Sequence, residues 1–341
     1  MKKINVLSLF DGIACGYEAL NKAGIQVNTY YASEIDKYAM SIASKNHPDI
    51  IQLGDVNNID FTQFIGKIDL IMGGSPCQDL SIAGKRAGLQ GERSGLFYKF
   101  VEAIEVIKPK YFLLENNYGM PQEAKQIITN LLGVEPVLIN SKCFSAQNRK
   151  RLYWTNIPVD ISNLKPLGKV IKDIKEPNVD EKYYMNYPLI LKDSVGELKQ
   201  VGDIPKTALK DNERQRRVYS EDSLSPSILA RSDSPKILCV GQLEMKASQQ
   251  VRRVYSINGL SPTLDTAQCC HRQVKILDNA LIRKLTPLEC ERLQTLPDNY
   301  TAYGIDGKIS NTQRYKCIGN GWTVDVIAHI FSFLKQELDK Q

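Results

Sequence analysis

Nowhere in the 341 residues does an uninterrupted apolar run approach the roughly 18 residues of a membrane-crossing helix, which argues against a membrane protein. The N-terminus, MKKINVLSLFDG, sets two lysines ahead of an apolar run. That run is short, it meets Asp11, and no small-residue cleavage site follows. A buried first β-strand fits better than a secretion signal. No pair among the eight cysteines forms a CxxC and their spacing does not repeat, so they do not read as a disulfide framework. A reducing cytoplasm is the expected compartment. Adjacent Cys269-Cys270-His271 raises a metal site, but neighbouring cysteines chelate one tetrahedral ion poorly and no second ligand pair lies nearby, so no metal is expected. Charge of one sign is also lacking. Against 44 Lys+Arg stand 38 Asp+Glu, and the net +6 permits a polyanionic partner without demanding one.

What is present is ordinary in bulk: 43% apolar and 24% charged residues, in a chain long enough for one large domain or two unequal ones. The order along the chain says more. Residues 4–10, 27–34, 68–72, 111–115 and 152–157 read as strands. Residues 16–23 and 96–108 read as helices, the latter with Phe97, Phe100, Val101, Ile104 and Ile107 at helical spacing, and a polar helix pattern follows the second strand through Asn46. Such alternation predicts an α/β fold with a mostly parallel sheet covered on both faces, and ligands outside the carboxyl ends of its strands. After about residue 160 the periodicity fades and Pro, Asn, Lys and Ser rise. Here Arg216-Arg217-Val218-Tyr219-Ser220 with Leu224-Ser225-Pro226 recurs, offset by 36 residues, as Arg252-Arg253-Val254-Tyr255-Ser256 with Leu260-Ser261-Pro262. Two copies are too few for a solenoid. They predict a duplicated strand–loop unit in a small, irregular β-rich domain. From Leu281 regularity returns, and Trp322, Val326, Ile327, Ile330, Phe331 and Leu334 mark an amphipathic helix. The expected division is 1–160, a second unit at 161–277, and 278–341 returning to pack on the first.

The first βα turn is Phe10-Asp11-Gly12-Ile13-Ala14-Cys15-Gly16. Its glycines let a ligand approach the backbone, beside a helix N-terminus. It is not a GxGxxG, and an ordinary tight turn would account for it alone. Glu34 ends the second strand, 23 residues after Asp11, where an acid suits a ribose diol, and Gly54-Asp55 ends the next. Together these three strand ends suggest an adenine-nucleoside cofactor. A fourth strand runs into Gly73-Gly74-Ser75-Pro76-Cys77-Gln78, a thiol on a stiffened turn. A free thiol needs a cation or a helix N-terminus to become a nucleophile, and an inert buried cysteine is the alternative. Glu115-Asn116-Asn117 ends the next strand; burial would raise the Glu115 pKa and suit it to proton donation. Gln147-Asn148-Arg149-Lys150-Arg151, if extended, puts Gln147, Arg149 and Arg151 on one face. A solvated basic strand is the alternative reading.

Cysteine, carboxyl and arginine on successive strand ends over a nucleoside site closely resemble the DNA cytosine-5 methyltransferases. FDGIACG, Glu34, Gly54-Asp55, GGSPCQ, Glu115-Asn116, QNRKR, TPLECERLQTLPD and Gly319-Asn320-Gly321 come in that family's order over nearly the whole chain. The resemblance implies a Rossmann-like S-adenosylmethionine-dependent domain with a target recognition domain at 161–277. Cys77 would attack C6 of a flipped-out cytosine, Glu115 serve N3, Arg151 hold the O2 side, and Arg149 orient Glu115 or a phosphate. The cofactor would be lined by Phe10, Asp11, Gly12, Ile13, Gly16, Glu34, Ile35, Asp55, Val56, Pro76, Leu96, Asn320 and Gly321. Gln78, Ser81, Lys85, Arg86, Gln147, Arg231 and Arg272 would meet DNA, and 85–94 would close over the base. Two departures stand out. The family commonly has valine where this chain has Asn117, and a small residue then valine where it has Gly321-Trp322. Both positions are expected behind the reactive atoms. The implied partner is double-stranded DNA, the implied state a monomer in the cytoplasm. Whether a restriction nuclease accompanies it, or it is an orphan or phage enzyme, is left open. A tRNA-modifying branch of the family and a silent DNA-binding homologue are the rival readings. A nicotinamide-dependent oxidoreductase would leave GGSPCQ and QNRKR unexplained.

Overall fold

Strand β1 (Ile4–Leu9) is apolar on both faces, and so are the strands beside it. A computed structural model describes residues 3–75, 95–185, 189–191, 200–203, 217–219, 239–243, 245, 252–266, 273–278 and 281–340. Along β1 follow α1 (Cys15–Lys22), β2 (Val27–Ser33), α2 (Lys37–Asn46), β3 (Ile50–Gln52), β4 (Leu70–Gly73), α3 (Leu96–Ile107), β5 (Tyr111–Asn117), α4 (Gln122–Leu132), β6 (Val137–Asn140) and β7 (Lys150–Thr155). They form one seven-stranded sheet in the order β3-β2-β1-β4-β5-β7-β6. The first five strands are parallel, and β7 alone runs antiparallel to both its neighbours. The α4–β6 pair was not anticipated from the sequence.

The period-two alternation of strand side chains splits the interior into two cores. Ile4, Val6, Leu70, Met72, Leu113 and Tyr153 face one side; Leu7, Leu9, Ile71, Leu114, Leu152 and Trp154 face the other. Phe97, Phe100 and Ile107 of α3 and Ala124 and Ile128 of α4 cover the second side. The first is covered by α1, α2 and a helix from the far end of the chain. Local signals mark one start and two stops among these helices. Asp36 caps α2 by accepting from the Tyr38 N–H at 2.9 Å. Lys108 and Gly133 end α3 and α4 in the left-handed region, at φ 52 and φ 68.

Beyond β7 a second, five-stranded sheet has the order β14-β13-β12-β11-β8, built from β8 (Leu189–Leu191), β11 (Cys239–Leu243), β12 (Arg253–Ser256), β13 (Lys275–Asp278) and β14 (Leu281–Lys284). A separate ribbon pairs β9 (Gln200–Asp203) with β10 (Arg217–Tyr219). The duplicated sequence thus makes a strand twice, but in different company. Arg217-Val218-Tyr219 lies in the ribbon, whereas Arg253-Val254-Tyr255 lies between β11 and β13. In the second copy Val254, Tyr255, Ser256, Leu260, Ser261 and Leu264 are all buried, which makes them scaffold. Ser261 bridges to Gln147 in parallel fashion, its N–H donating to the Ala146 carbonyl and its own carbonyl accepting from the Asn148 N–H.

Three helices close the fold: α5 (Pro287–Leu293), α6 (Asn311–Asn320) and α7 (Val324–Asp339). The sequence TPLECERLQTLPD opens with a capping box, Thr286 with Glu289, and buries Glu289 and Glu291 completely. Glu289 receives a two-pronged ion pair from Arg283 at 2.7 and 2.8 Å, and Glu291 accepts from Arg314 at 2.9 Å. Buried charges of this kind persist because each is paired and hydrogen-bonded. The stretch Asn311–Asp339 is long and apolar enough on composition to cross a membrane. Its two helices break at Gly321–Thr323, and Val326, Ile327, Ile330, Phe331 and Leu334 are spent on the core against α1, so it is an interior element of the fold.

Candidate active site

In a doubly wound sheet the ligand crevice opens where strand order reverses. Here that point lies between β1, which leads outward to β2 and β3, and β4, which leads the other way to β5. At the end of β1 the backbone turns through three left-handed residues, Phe10 (φ 59), Gly12 (φ 62) and Ala14 (φ 60). Two of them carry a Cβ, at a cost of about 1–2 kcal/mol each. Hydrogen bonds from every side hold the turn there. Asp11 N–H donates to the Ser33 carbonyl at 3.1 Å, Gly12 N–H to Glu34 Oε2 at 2.9 Å, and Tyr300 Oη to the Ile13 carbonyl at 2.9 Å. Glu34 Oε1 accepts from the N–H groups of Ile35 and Asp36 at 2.8 and 2.9 Å. Beside it Ile35 is 74% exposed, an open aliphatic face. Ser33 Oγ donates to the Gly54 carbonyl at 2.7 Å, and Asp55 caps a 3₁₀ turn that buries Val56. The three strand ends are therefore sewn into one rim.

Asp11 stands out electrostatically. Tyr30 Oη donates to its Oδ1 at 2.6 Å, while its buried Oδ2 has no hydrogen-bond partner among the described residues. Burial pushes this carboxyl up to about 6, partly offset by hydrogen bonds from Ser8 and Tyr30 and reinforced by the nearby Glu34.

The far wall was not foreseen. A Cβ on Gly74 would sit 2.9 Å from Trp322 Nε1 and 3.1 Å from Glu115 Oε2; one on Gly16 would sit 3.5 Å from Trp322 Cζ3. The Trp322 indole therefore reaches from the start of α1 to the end of β4, beside Glu115. The sequence reading put Trp322 behind the reactive atoms, and the geometry puts it in the crevice. Gly74 is needed because the indole occupies the space beside it, whereas at Gly16 the space a Cβ would take is held by the Met72 side chain. Asn320 is exposed at the end of α6, Gly321 lies against the Cys15 sulfur, and Leu96 is half-buried at the start of α3.

Across the crevice, β5 and β7 bring Glu115 and Arg151 together, Oε1 to Nε at 2.8 Å, with Asn117 opposite Arg151 in the ladder. Arg149 is only 5% exposed and points elsewhere. It donates to the carbonyls of Gly321 at 3.1 Å and Gly319 at 3.5 Å, so it clamps the segment that carries Trp322, where orientation of Glu115 or of a phosphate had been expected. Burial, then the neighbouring Arg151, pull its guanidinium down to about 9, with Glu115 opposing, so it stays charged at neutral pH. Gln147 is fully enclosed, and among the described residues neither end of its amide has a partner. Pro76, Cys77, Gln78, Ser81, Lys85, Arg86, Arg231, Arg272 and the 85–94 segment lie outside the described residues, as does Cys269-Cys270-His271. Ser75, just before that stretch, is buried and accepts from Asn116 Nδ2 at 3.4 Å.

Architecture and rim define an α/β, Rossmann-like methyltransferase fold. The family model for C-5 cytosine-specific DNA methylase matches residues 4–336, and the chain belongs to that family. Among curated relatives it is 29% identical to the orphan methyltransferase M.SPRI of Bacillus phage SPR and 27% identical to the putative type II methyltransferase M.BsuMIIP of Bacillus subtilis (strain 168), each match covering 98% of both chains. Its fold is similar to that of the S. pombe Dnmt2 methyltransferase, with a TM-score of 0.65 and 16% identity over 99% of this chain and 100% of that one. It is similar also to a putative DNA modification methyltransferase from an E. coli prophage, with a TM-score of 0.60 and 20% identity over 99% of this chain and 100% of that one.

Proposed function

We propose that the crevice methylates C5 of a cytosine flipped out of duplex DNA, with Glu115, Arg151 and Cys77 acting on the base and the β1–β3 rim holding the methyl donor. The observation that carries this reading is the placement of the Glu115–Arg151 pair and the nucleoside rim on two sides of one indole, at the point where strand order reverses. The donor side fits an adenosine-bearing sulfonium. It offers an exposed Ile35 for a base face, Glu34 and Asp55 at strand ends for hydroxyl and amine groups, and an indole wall packed close against Gly74. Phe10, Asp11, Gly12, Ile13, Val56, Pro76, Leu96, Asn320 and Gly321 complete that set.

On the base, the Cys77 thiolate forms a bond to C6, and the electrons of the C5–C6 double bond move to C5. Glu115, donating a proton to N3, and Arg151 at O2 stabilise the negative charge that this attack spreads into the ring. Bound S-adenosylmethionine supplies the electrophilic methyl. Once C5 carries the methyl, a solvent base takes the C5 proton, the electrons of that C–H bond re-form the C5–C6 double bond, and the C6–S bond breaks to release Cys77 as the thiolate. Arg149 is a positioning residue, holding the Gly319–Gly321 carbonyls and through them the Trp322 wall. Residues 161–277 serve as the target recognition domain. Their contacts would come from the loop tips, Arg231 and Arg272 among them, since the second repeat's strand and LSP segment are buried. Gln78, Ser81, Lys85, Arg86 and Gln147 are the proposed DNA contacts around the flipped base.

The test is transfer of radiolabelled methyl to unmethylated bacterial DNA against tRNA, followed by conversion sequencing to find the modified cytosine. Cys77→Ser should abolish turnover while DNA binding persists, and a denaturant-stable adduct with 5-fluorocytosine DNA should form in the wild type alone. Transfer to tRNA only would reverse the substrate assignment, and no adduct in the wild type would reverse the assignment of Cys77.

A further inference from the structure

The register that sets Asn117 opposite Arg151 brings the next residues, Tyr118 and Lys150, opposite each other where β5 ends and β7 begins. Lys150 Nζ stands 5.2 Å from the centre of the Tyr118 ring. Tyr118 is 50% exposed, Lys150 is exposed, and among the described residues no carboxylate pairs with that lysine. The pair adjoins the Glu115–Arg151 pair along the chain but lies on the opposite sheet face. That is the face of Asn116, whose amide donates to Ser75 where the chain leaves β4 for Cys77. An unneutralised cation on an exposed aromatic ring, at the lip of a crevice that must admit a nucleotide, has the chemistry of a nucleic-acid backbone contact.

We propose that Tyr118 and Lys150 form a subsite for the DNA strand that carries the target cytosine, Lys150 meeting a phosphate and the Tyr118 ring packing on the neighbouring sugar or base. This rests on the reading of the crevice as a DNA cytosine methyltransferase site. The subsite is sequence-independent, because a phosphate and a ring face are common to every nucleotide, so it sets affinity and leaves the recognised sequence unchanged.

The molecule carries its own control. Lys110 stands over Tyr111 at 5.5 Å, the same pairing at the opposite end of β5, away from the crevice. The experiment measures KM for unmethylated bacterial genomic DNA across a salt series, using full-length wild type, Lys150→Gln, Tyr118→Ala and Lys110→Gln. Losing one phosphate contact lowers the slope of log affinity against log salt by about 0.9. Lys150→Gln should show that drop, with KM about five- to tenfold higher near 0.1 M salt. Tyr118→Ala should raise KM comparably with the slope nearly kept, and Lys110→Gln should match the wild type in both. Quenching of Trp322 fluorescence by the methyl donor, measured without DNA, should be retained in all four, showing an intact fold. Unchanged slope and KM in Lys150→Gln and Tyr118→Ala overturn the subsite, and so does an equal change in Lys110→Gln. If the wild type itself transfers methyl to tRNA and none to DNA, the underlying function fails, and this proposal falls with it by a different signature.

Discussion

Asp11→Asn isolates one electrostatic cost built into the cofactor turn. The Asp11 carboxyl has one buried oxygen with no partner among the described residues, and burial lifts its pKa from 3.8 to about 6. Each pH unit of such a displacement is worth about 1.4 kcal/mol, so keeping this group ionised in the fold costs about 3 kcal/mol. The folded chain binds this proton more tightly than the unfolded chain does. The cost is therefore absent well below the unfolded pKa, builds between 3.8 and about 6, and is complete above it. Asparagine removes the titration and leaves the shape. Its buried amide brings an unmet donor, but that penalty does not depend on pH and cancels when two pH values are compared. In urea unfolding at about pH 4 and about pH 8, the stability difference between Asp11→Asn and the wild type should move by about 2.5 kcal/mol in favour of the variant at the higher pH. Parallel curves, with a constant difference across that range, would refute the argument that this carboxyl is ionised at a cost.

The remaining predictions concern the indole wall and its clamp. Gly74→Ala places a methyl 2.9 Å from Trp322 Nε1 and 3.1 Å from Glu115 Oε2, so both must move. Overpacking of this kind costs about 1–3 kcal/mol, and kcat should fall more than tenfold; retention of full kcat would show that neither group matters where it stands. Trp154 is fully enclosed and Trp322 is half-buried, so the donor-dependent change in tryptophan fluorescence should vanish in Trp322→Phe and survive in Trp154→Phe. Arg149→Met removes charge-assisted bonds to the Gly319 and Gly321 carbonyls and should lower stability by about 2 kcal/mol. Its KM for the methyl donor should rise more than its KM for DNA; the reverse would place Arg149 on a phosphate after all.

Much of the parallel half was readable in advance because its strands are locally self-evident. Runs such as Ile4–Leu9 and Leu70–Gly73 are apolar on both faces, as strands covered by helices must be. Glu34 and Asp55 were placed by counting from one strand end to the next. The direction of β7 was not readable, since a strand's residues do not encode which way its neighbour runs. The burial of Gln147 depends on Ser261, a partner far away in sequence, and Arg149's target depends on where α6 ends. The two repeat strands show the limit most plainly: the same Arg-Val-Tyr pairs with β9 in one copy and lies between β11 and β13 in the other. Trp322 did leave a signal. A large aromatic among residues as small as Gly319, Asn320 and Gly321 is out of scale with its motif, and a ring that size has to stand in a space left by something small.

The crevice joins a turn near residue 12 to an indole at residue 322, with α7 laid across α1 to bring them together. A chain emerging from the ribosome can pair β1 with β2 and set Glu34 on the Gly12 amide long before Trp322 has been synthesised. On the proposed function, donor binding is among the last properties the molecule acquires, after residues 161–277 and α6 have been made and α7 has docked. For an enzyme that writes a lasting mark on its substrate, this order of assembly keeps partly made chains from acting. It also means that a break anywhere before α7 separates the two walls of one pocket.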